Sequence, residues 1–156
     1  IAIITGSPNH YTSNGRLNGY KKAMTNAGLT ITDDYIQCGD YCIDGGYEAM
    51  MRLCKLQKRP TAIFISNYDM TIGAYLAINY LRLKIPDDIS VIGFDNFPLA
   101  NVVNPPLSFA EQPTNVMGTE AGKLLYRRIC GDYSDYPKTI MHKPTMHYKE
   151  SIRQLT

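Results

Sequence analysis

The sequence predicts an α/β fold: a doubly wound parallel sheet with helices on both faces. Three observations carry that prediction. Short apolar runs take turns with stretches of helical period. The runs are largely unbroken rather than alternating, as in strands buried on both faces. The connections between them are short, so strand, loop and helix repeat as right-handed crossover units.

The elements follow in order. Residues 1–5 form a β-branched run ending at Gly6, and a helix is expected over 15–27, with Leu17, Tyr20, Met24 and Ala27 at helical spacing. Gly28 stands where a C-cap glycine ends a helix. A second strand is expected over 34–38, then Gly39 and Asp40 lead into a helix over 45–56 whose inner face reads Tyr47, Met50, Met51 and Cys54. The third strand spans 62–66, a helix 69–82 and the fourth strand 90–94. Sheets of this kind bind ligands beyond the carboxyl ends of their strands, which directs attention to residues 6–16, 40–41, 67–69 and 95–96.

The pattern breaks after Phe97. Pro98, Pro105, Pro106 and Pro113 crowd a stretch where a fixed φ and a missing donor disfavour regular structure. A helix over 116–129 then shows Met117, Ala121, Leu124, Leu125 and Ile129 on one side, with Lys123, Arg127 and Arg128 outside. Residues 131–137 are rich in turn formers, and 139–148 read as one or two strands interrupted by Pro144.

Composition narrows the function classes. The 156 residues, 44% hydrophobic with net charge +2, can fill a core, which excludes disorder as the main state. The apolar runs fall far short of the roughly 18 residues that a spanning helix needs, so no membrane partner is expected. No basic segment followed by an apolar one opens the chain, so a secretory signal is absent or has been cut off, and reduced cysteines suit a cytoplasmic protein. A dispersed charge of +2 provides no basic patch for nucleic acid. Cys38, Cys42, Cys54 and Cys130 lack the spacing of a zinc site and read as reduced, buried thiols. No metal or cofactor is expected. Three histidines without a nucleophile motif give an enzyme reading little support.

Four stretches stand together: Arg16-Leu-Asn-Gly-Tyr20; Ser66-Asn-Tyr-Asp-Met-Thr-Ile-Gly-Ala74; Ile85-Pro-Asp-Asp-Ile-Ser-Val-Ile-Gly-Phe-Asp95; and Pro105-Pro-Leu107 with Gln112-Pro113. In this order and spacing they closely resemble the LacI/GalR family of bacterial transcriptional repressors, over residue 1 to about residue 151. The resemblance implies two lobes of the periplasmic-binding-protein type that close on a small molecule, a sugar or a nucleobase. Residues 1–98 correspond to the second lobe, 99–138 to a hinge crossover with a helix that packs on the first lobe, and 139–156 to a return strand and tail. The helix-turn-helix that reads DNA and the first lobe precede the matching region in that family, so the chain looks like the carboxyl half of a repressor. A homodimer is implied, and the apolar positions Met70, Ile72, Tyr75 and Leu76 offer one surface for it. Without the first lobe, the helix over 116–129 is expected to fold back or to pack on another copy.

The resemblance also implies the effector-binding residues. Arg16 matches an arginine that grips hydroxyls or carboxylates, and a guanidinium at the unfavourable end of a helix dipole favours that role locally. Thr12 matches a hydroxyl near the ligand, with a helix N-cap as its ordinary alternative. Asp95 matches an acceptor of ligand hydroxyls; at a strand end it needs a partner, either ligand or Arg16. Asn67 matches an amide of the cleft, Tyr41 an aromatic that stacks on the effector, and Gln112 a hinge amide. His10 and Asp69 are further candidates, Asp69 reading better as the N-cap of the helix that follows. The other function the resemblance allows is a periplasmic-type sugar-binding protein serving a transporter, which shares the fold.

Overall fold

The computed structural model describes residues 1–95 and 98–154. Asn96, singled out just beyond the fourth strand, and Phe97, after which the pattern breaks, lie outside the described residues. Among those described, six strands form one sheet in the order β2-β1-β3-β4-β5-β6. The strands are β1 (Ala2–Thr5), β2 (Ile36–Cys38), β3 (Ala62–Ile65), β4 (Ser90–Phe94), β5 (Ser108–Glu111) and β6 (Thr145–His147). The helices are α1 (Tyr11–Asn26), α2 (Ile43–Lys55), α3 (Tyr68–Tyr80) and α4 (Thr114–Ile129). β1 to β5 run parallel, and β6 pairs antiparallel with β5.

The α/β fold and its parallel sheet agree with the sequence reading, but the burial is less even. β1 and the first three residues of β5 are buried on both faces. In β3 and β4 alternate residues are buried: Ile63, Ile65 and Val91 lie under α2 and α3, while Phe64 and Ile92 on the other face are half-covered. α1 covers that second face only around Ile3, where Tyr20 and Met24 pack. The main core therefore lies between the sheet and the α2/α3 pair, and each fully buried side chain there, such as Leu53 or Ile78, contributes roughly 1.5–3 kcal/mol.

α2 and α3 cross with almost no space between their backbones. A Cβ on Gly73 would lie 1.9 Å from the carbonyl oxygen of Ile43, and one on Gly46 would lie 2.4 Å from that of Met70. The glycines permit an approach that turns α2 relative to the sequence expectation. Gly46, Ala49, Met50 and Leu53 face inward, whereas Tyr47, Met51 and Cys54 flank the core.

Local chemistry sets the helix ends. At the end of α1, Gly28 takes φ +66°, with its N–H on the carbonyl of Thr25 at 3.0 Å and the Leu29 N–H on that of Met24 at 2.9 Å. This pair of bonds is the Schellman closure that a glycine enables. Two capping expectations are corrected. The N-cap of α1 is His10, so Thr12 is inside the first turn; the N-cap of α3 is Asn67, whose Oδ1 accepts from the Met70 N–H at 3.0 Å, so Asp69 also sits within its helix. Cys42 caps α2 in the same way, its Sγ accepting from the Gly45 N–H at 3.3 Å.

The cysteines are not buried as expected. Cys38, Cys42 and Cys130 are exposed and Cys54 is half-buried, all four free thiols. The proline-rich stretch also holds an element absent from the sequence reading. Pro105, Pro106 and Pro113 flank β5 without interrupting it, so its ladder to β4 keeps every donor it needs. Ser151 fastens the tail to this edge: its hydroxyl donates to the Val91 carbonyl at 2.6 Å and accepts from the Ser108 N–H at 2.7 Å. α4 stands apart, with no buried residue, and leaves Leu125, Tyr126 and Ile129 exposed; it does not fold back onto the chain.

Candidate functional site

Because β1 to β5 are parallel, their carboxyl ends line up along one edge of the sheet. The topological switch lies between β1 and β3, since α1 packs on one face and α2 and α3 on the other. Every candidate residue except Asp69 stands on this edge. His10, Thr12 and Arg16 belong to the start of α1 after β1, Tyr41 follows β2, Asn67 follows β3, Asp95 follows β4 and Gln112 follows β5.

Two groups form. In the first, the Tyr41 hydroxyl accepts from Ser13 Oγ at 2.8 Å and lies 3.0 Å from Thr12 Oγ1, while His10 meets its ring edge-on at 5.6 Å between centroids. Tyr41 lies over Gly6, where a Cβ would come within 2.2 Å of its ring. In the second, Asp95 Oδ1 accepts from Gln112 Nε2 at 2.6 Å. Arg16 lies between the groups. Its guanidinium sits 3.9 Å above the centre of the Phe94 ring, and Nη1 donates to the Ser66 carbonyl. Of the two partners expected for Asp95, ligand or Arg16, Arg16 is not the one it meets: the aromatic face and the carbonyl hold the guanidinium, and the amide of Gln112 donates to the carboxylate.

The backbone carries strain here. Asp40, Tyr41 and Asp95 take φ of 49°, 59° and 81°, a region that costs a non-glycine residue roughly 1–3 kcal/mol. Such conformations persist where the surroundings over-determine them, and they cluster at binding sites. Asp69 lies elsewhere, lining a hollow with Tyr41, Cys42, Ile43 and Asp44 on the α2 side. Another hollow, of about 490 Å³, lies between the end of α3 and residues 83–87 and 103–105, at the opposite edge of the sheet.

Sequence reasoning points to the stretch 6–16 that holds Gly6 and Ser13 but assigns neither a role, and it misses Ser66 and Phe94 as site residues. Ser13 and Ser66 are fully buried polar residues, and a buried serine announces itself only once the fold shows what surrounds it. Phe94 was legible only as part of a strand. Among the described residues, no group of three or more His, Cys, Asp or Glu is placed to hold a metal ion. This edge offers a guanidinium, a carboxylate, two amides, a hydroxyl pair and an aromatic ring, a set suited to binding a small, hydroxyl-rich molecule.

The profile of the periplasmic binding protein-like domain family matches residues 1–152. The chain belongs to that family, as an effector-binding domain of the LacI/GalR type. Among curated LacI-type relatives, the ribose operon repressor of Escherichia coli strain K12 is 41% identical over 129 residues, covering 83% of this chain and 39% of the repressor. The HTH-type transcriptional repressor PurR of Histophilus somni strain 2336 is 38% identical over 155 residues, covering 99% of this chain and 46% of that protein. The chain thus spans less than half the length of these relatives. A solved sugar-binding transcriptional regulator of the LacI family from Escherichia coli, complexed with phosphate, superposes with TM-score 0.83 at 31% identity, over 97% of this chain and 54% of that one. These LacI-type relatives are transcriptional regulators, not enzymes or transport proteins.

Proposed function

We propose that this chain is the effector-sensing part of a bacterial LacI-type DNA-binding repressor, and that it binds a sugar at the carboxyl edge of the sheet to control operator binding. The observation that carries this is the convergence of Thr12, Arg16, Tyr41, Asn67, Asp95 and Gln112 on one edge beside the topological switch point. The ribose operon repressor and the sugar-binding regulator among the relatives favour a sugar over a nucleobase. Arg16 and the Asp95–Gln112 pair supply the directional hydrogen bonds, and Tyr41 supplies an aromatic wall.

Residues 1–98 serve as the second lobe, 99–138 as hinge crossover and first-lobe helix, and 139–156 as the return to the second lobe. The bare apolar side of α4 supports this, since Leu125 and Ile129 are exposed. The sugar favours one lobe arrangement, and the shift is bounded by its differential affinity for the two states. The repressor works as a cytoplasmic homodimer, with Leu76, exposed on α3, in the interface; of the other positions expected there, Met70 is buried in the core and Tyr75 packs against it.

Fluorescence anisotropy on operator DNA, with protein produced from its full gene, tests the reading. Operator affinity should change on adding one sugar of a pentose and hexose panel, and Arg16→Ala should abolish that response while leaving operator binding intact. A response that survives Arg16→Ala would overturn it. Light scattering tests the dimer, which Leu76→Glu should weaken.

A further inference from the structure

Two hydroxyls at the floor of this edge are buried without a hydrogen-bond partner among the described residues. They are Thr5 Oγ1 and Ser66 Oγ, whose residues are 5% and 0% exposed. Buried hydroxyls in native structures are nearly always paired, so an orphan pair calls for an explanation. The register puts the two side by side. Ile4 lies opposite Ile65, and the Ser66 N–H continues the ladder onto the Ile4 carbonyl at 2.9 Å, so Thr5 and Ser66 are neighbours across β1 and β3. The period of two turns both toward the α1 face, with Ile3 and Phe64. Phe64 lies opposite Ile92, so Phe94 extends the same row across β4.

The row therefore reads hydroxyl, hydroxyl, aromatic ring, and it sits at the switch point. Flexible side chains border it. Arg16 lies on Phe94 and on the Ser66 carbonyl, and Tyr41 lies over Gly6, next to Thr5. A guanidinium held by an aromatic face and one carbonyl can exchange those partners for a ligand's oxygens at little cost.

We infer that Thr5 and Ser66 are ligand-contacting residues of the effector site: Arg16 borders them in the unliganded chain, and the hydroxyls of a neutral sugar pair with them while its apolar face lies on Phe94. This rests on the carboxyl edge being the effector site. A neutral sugar fits because each of its hydroxyls both donates and accepts, as two adjacent protein hydroxyls require.

The test is isothermal calorimetry with neutral pentoses and hexoses, ribose first, on protein produced from its full gene. It uses Thr5→Val, Ser66→Ala and Arg16→Ala, together with the melting temperature of each variant without sugar. Thr5→Val and Ser66→Ala should each weaken sugar binding at least tenfold while the sugar-free melting temperature holds or rises. Wild-type affinity in both, with binding lost in Arg16→Ala, would overturn this inference and leave the site reading standing. Binding retained in all three variants would overturn both. A lowered sugar-free melting temperature with unchanged affinity would assign the hydroxyls to folding alone, and a panel with no binder to the wild type would contradict the neutral sugar.

Discussion

Asp95 and Gln112 join the carboxyl ends of β4 and β5 through one hydrogen bond, Nε2 donating to Oδ1 at 2.6 Å, two residues before α4 begins. The carboxylate stands on a backbone with φ 81°, so neither its position nor its partner is an accident of a relaxed turn. In the proposed mechanism this bond is where ligand at the second lobe meets the segment leading to the first. Hydrogen bonds to a charged group are worth roughly 1.5–3 kcal/mol, or about 10- to 100-fold in affinity. Asp95→Asn should therefore weaken sugar binding by about that factor, measured by calorimetry, with the fold retained by circular dichroism.

Arg16 makes two contacts that a lysine cannot reproduce together, a planar stack on Phe94 and a directed bond to the Ser66 carbonyl. Arg16→Lys should weaken sugar binding more than tenfold although the charge is kept. An unchanged dissociation constant in that variant would mean that charge alone does the work.

The crossing of α2 and α3 gives a prediction about stability. A methyl at position 73 would meet the Ile43 carbonyl and the Tyr47 N–H, both backbone, so nothing flexible can yield. Gly73→Ala should cost roughly 1–3 kcal/mol or more on urea denaturation, where an exposed helix position would gain stability from the same change. Gly15→Ala in α1, where a Cβ meets nothing within 4 Å, is the control and should stabilise.

Acid should loosen the loop after α4. The Ser134 hydroxyl and N–H, and then Arg127, hold the Asp132 carboxyl below its ordinary 3.8, at about 2. Arg128, Lys138 and Arg127 lower that of Asp135 as well. Both carboxyls are depressed in the folded chain, so their contribution is complete above 3.8 and is lost as pH falls toward about 2. These groups are exposed, so salt should weaken the same contacts. NMR shifts of residues 132–135 should move over that acid range while those of the β1 and β3 core stay fixed.

Much of this arrangement was legible beforehand, and its gaps have physical causes. Apolar runs and Gly28 marked the strands and the end of α1, because burial and a positive φ leave direct traces in residue type. β5 was missed because prolines at its borders look the same in sequence as prolines within it. The helix caps were misplaced at Thr12 and Asp69, since Ser, Thr, Asn and Asp neighbours compete for one position that only the backbone decides. The edge residues Arg16, Asp95 and Gln112 were found through a family resemblance, yet their pairing was not, because the grip of Phe94 on the guanidinium depends on register across three strands. Ser66 and Thr5 left no trace at all, as an unpaired hydroxyl is a property of surroundings.

The most direct test of the central claim is a calorimetric titration of the protein with ribose, other neutral sugars and purine bases, repeated with Arg16→Ala and Asp95→Ala. At least one sugar should saturate a single site per chain, and both substitutions should weaken its binding at least tenfold. Equal affinity of wild type and both variants for the ligand that binds would contradict it.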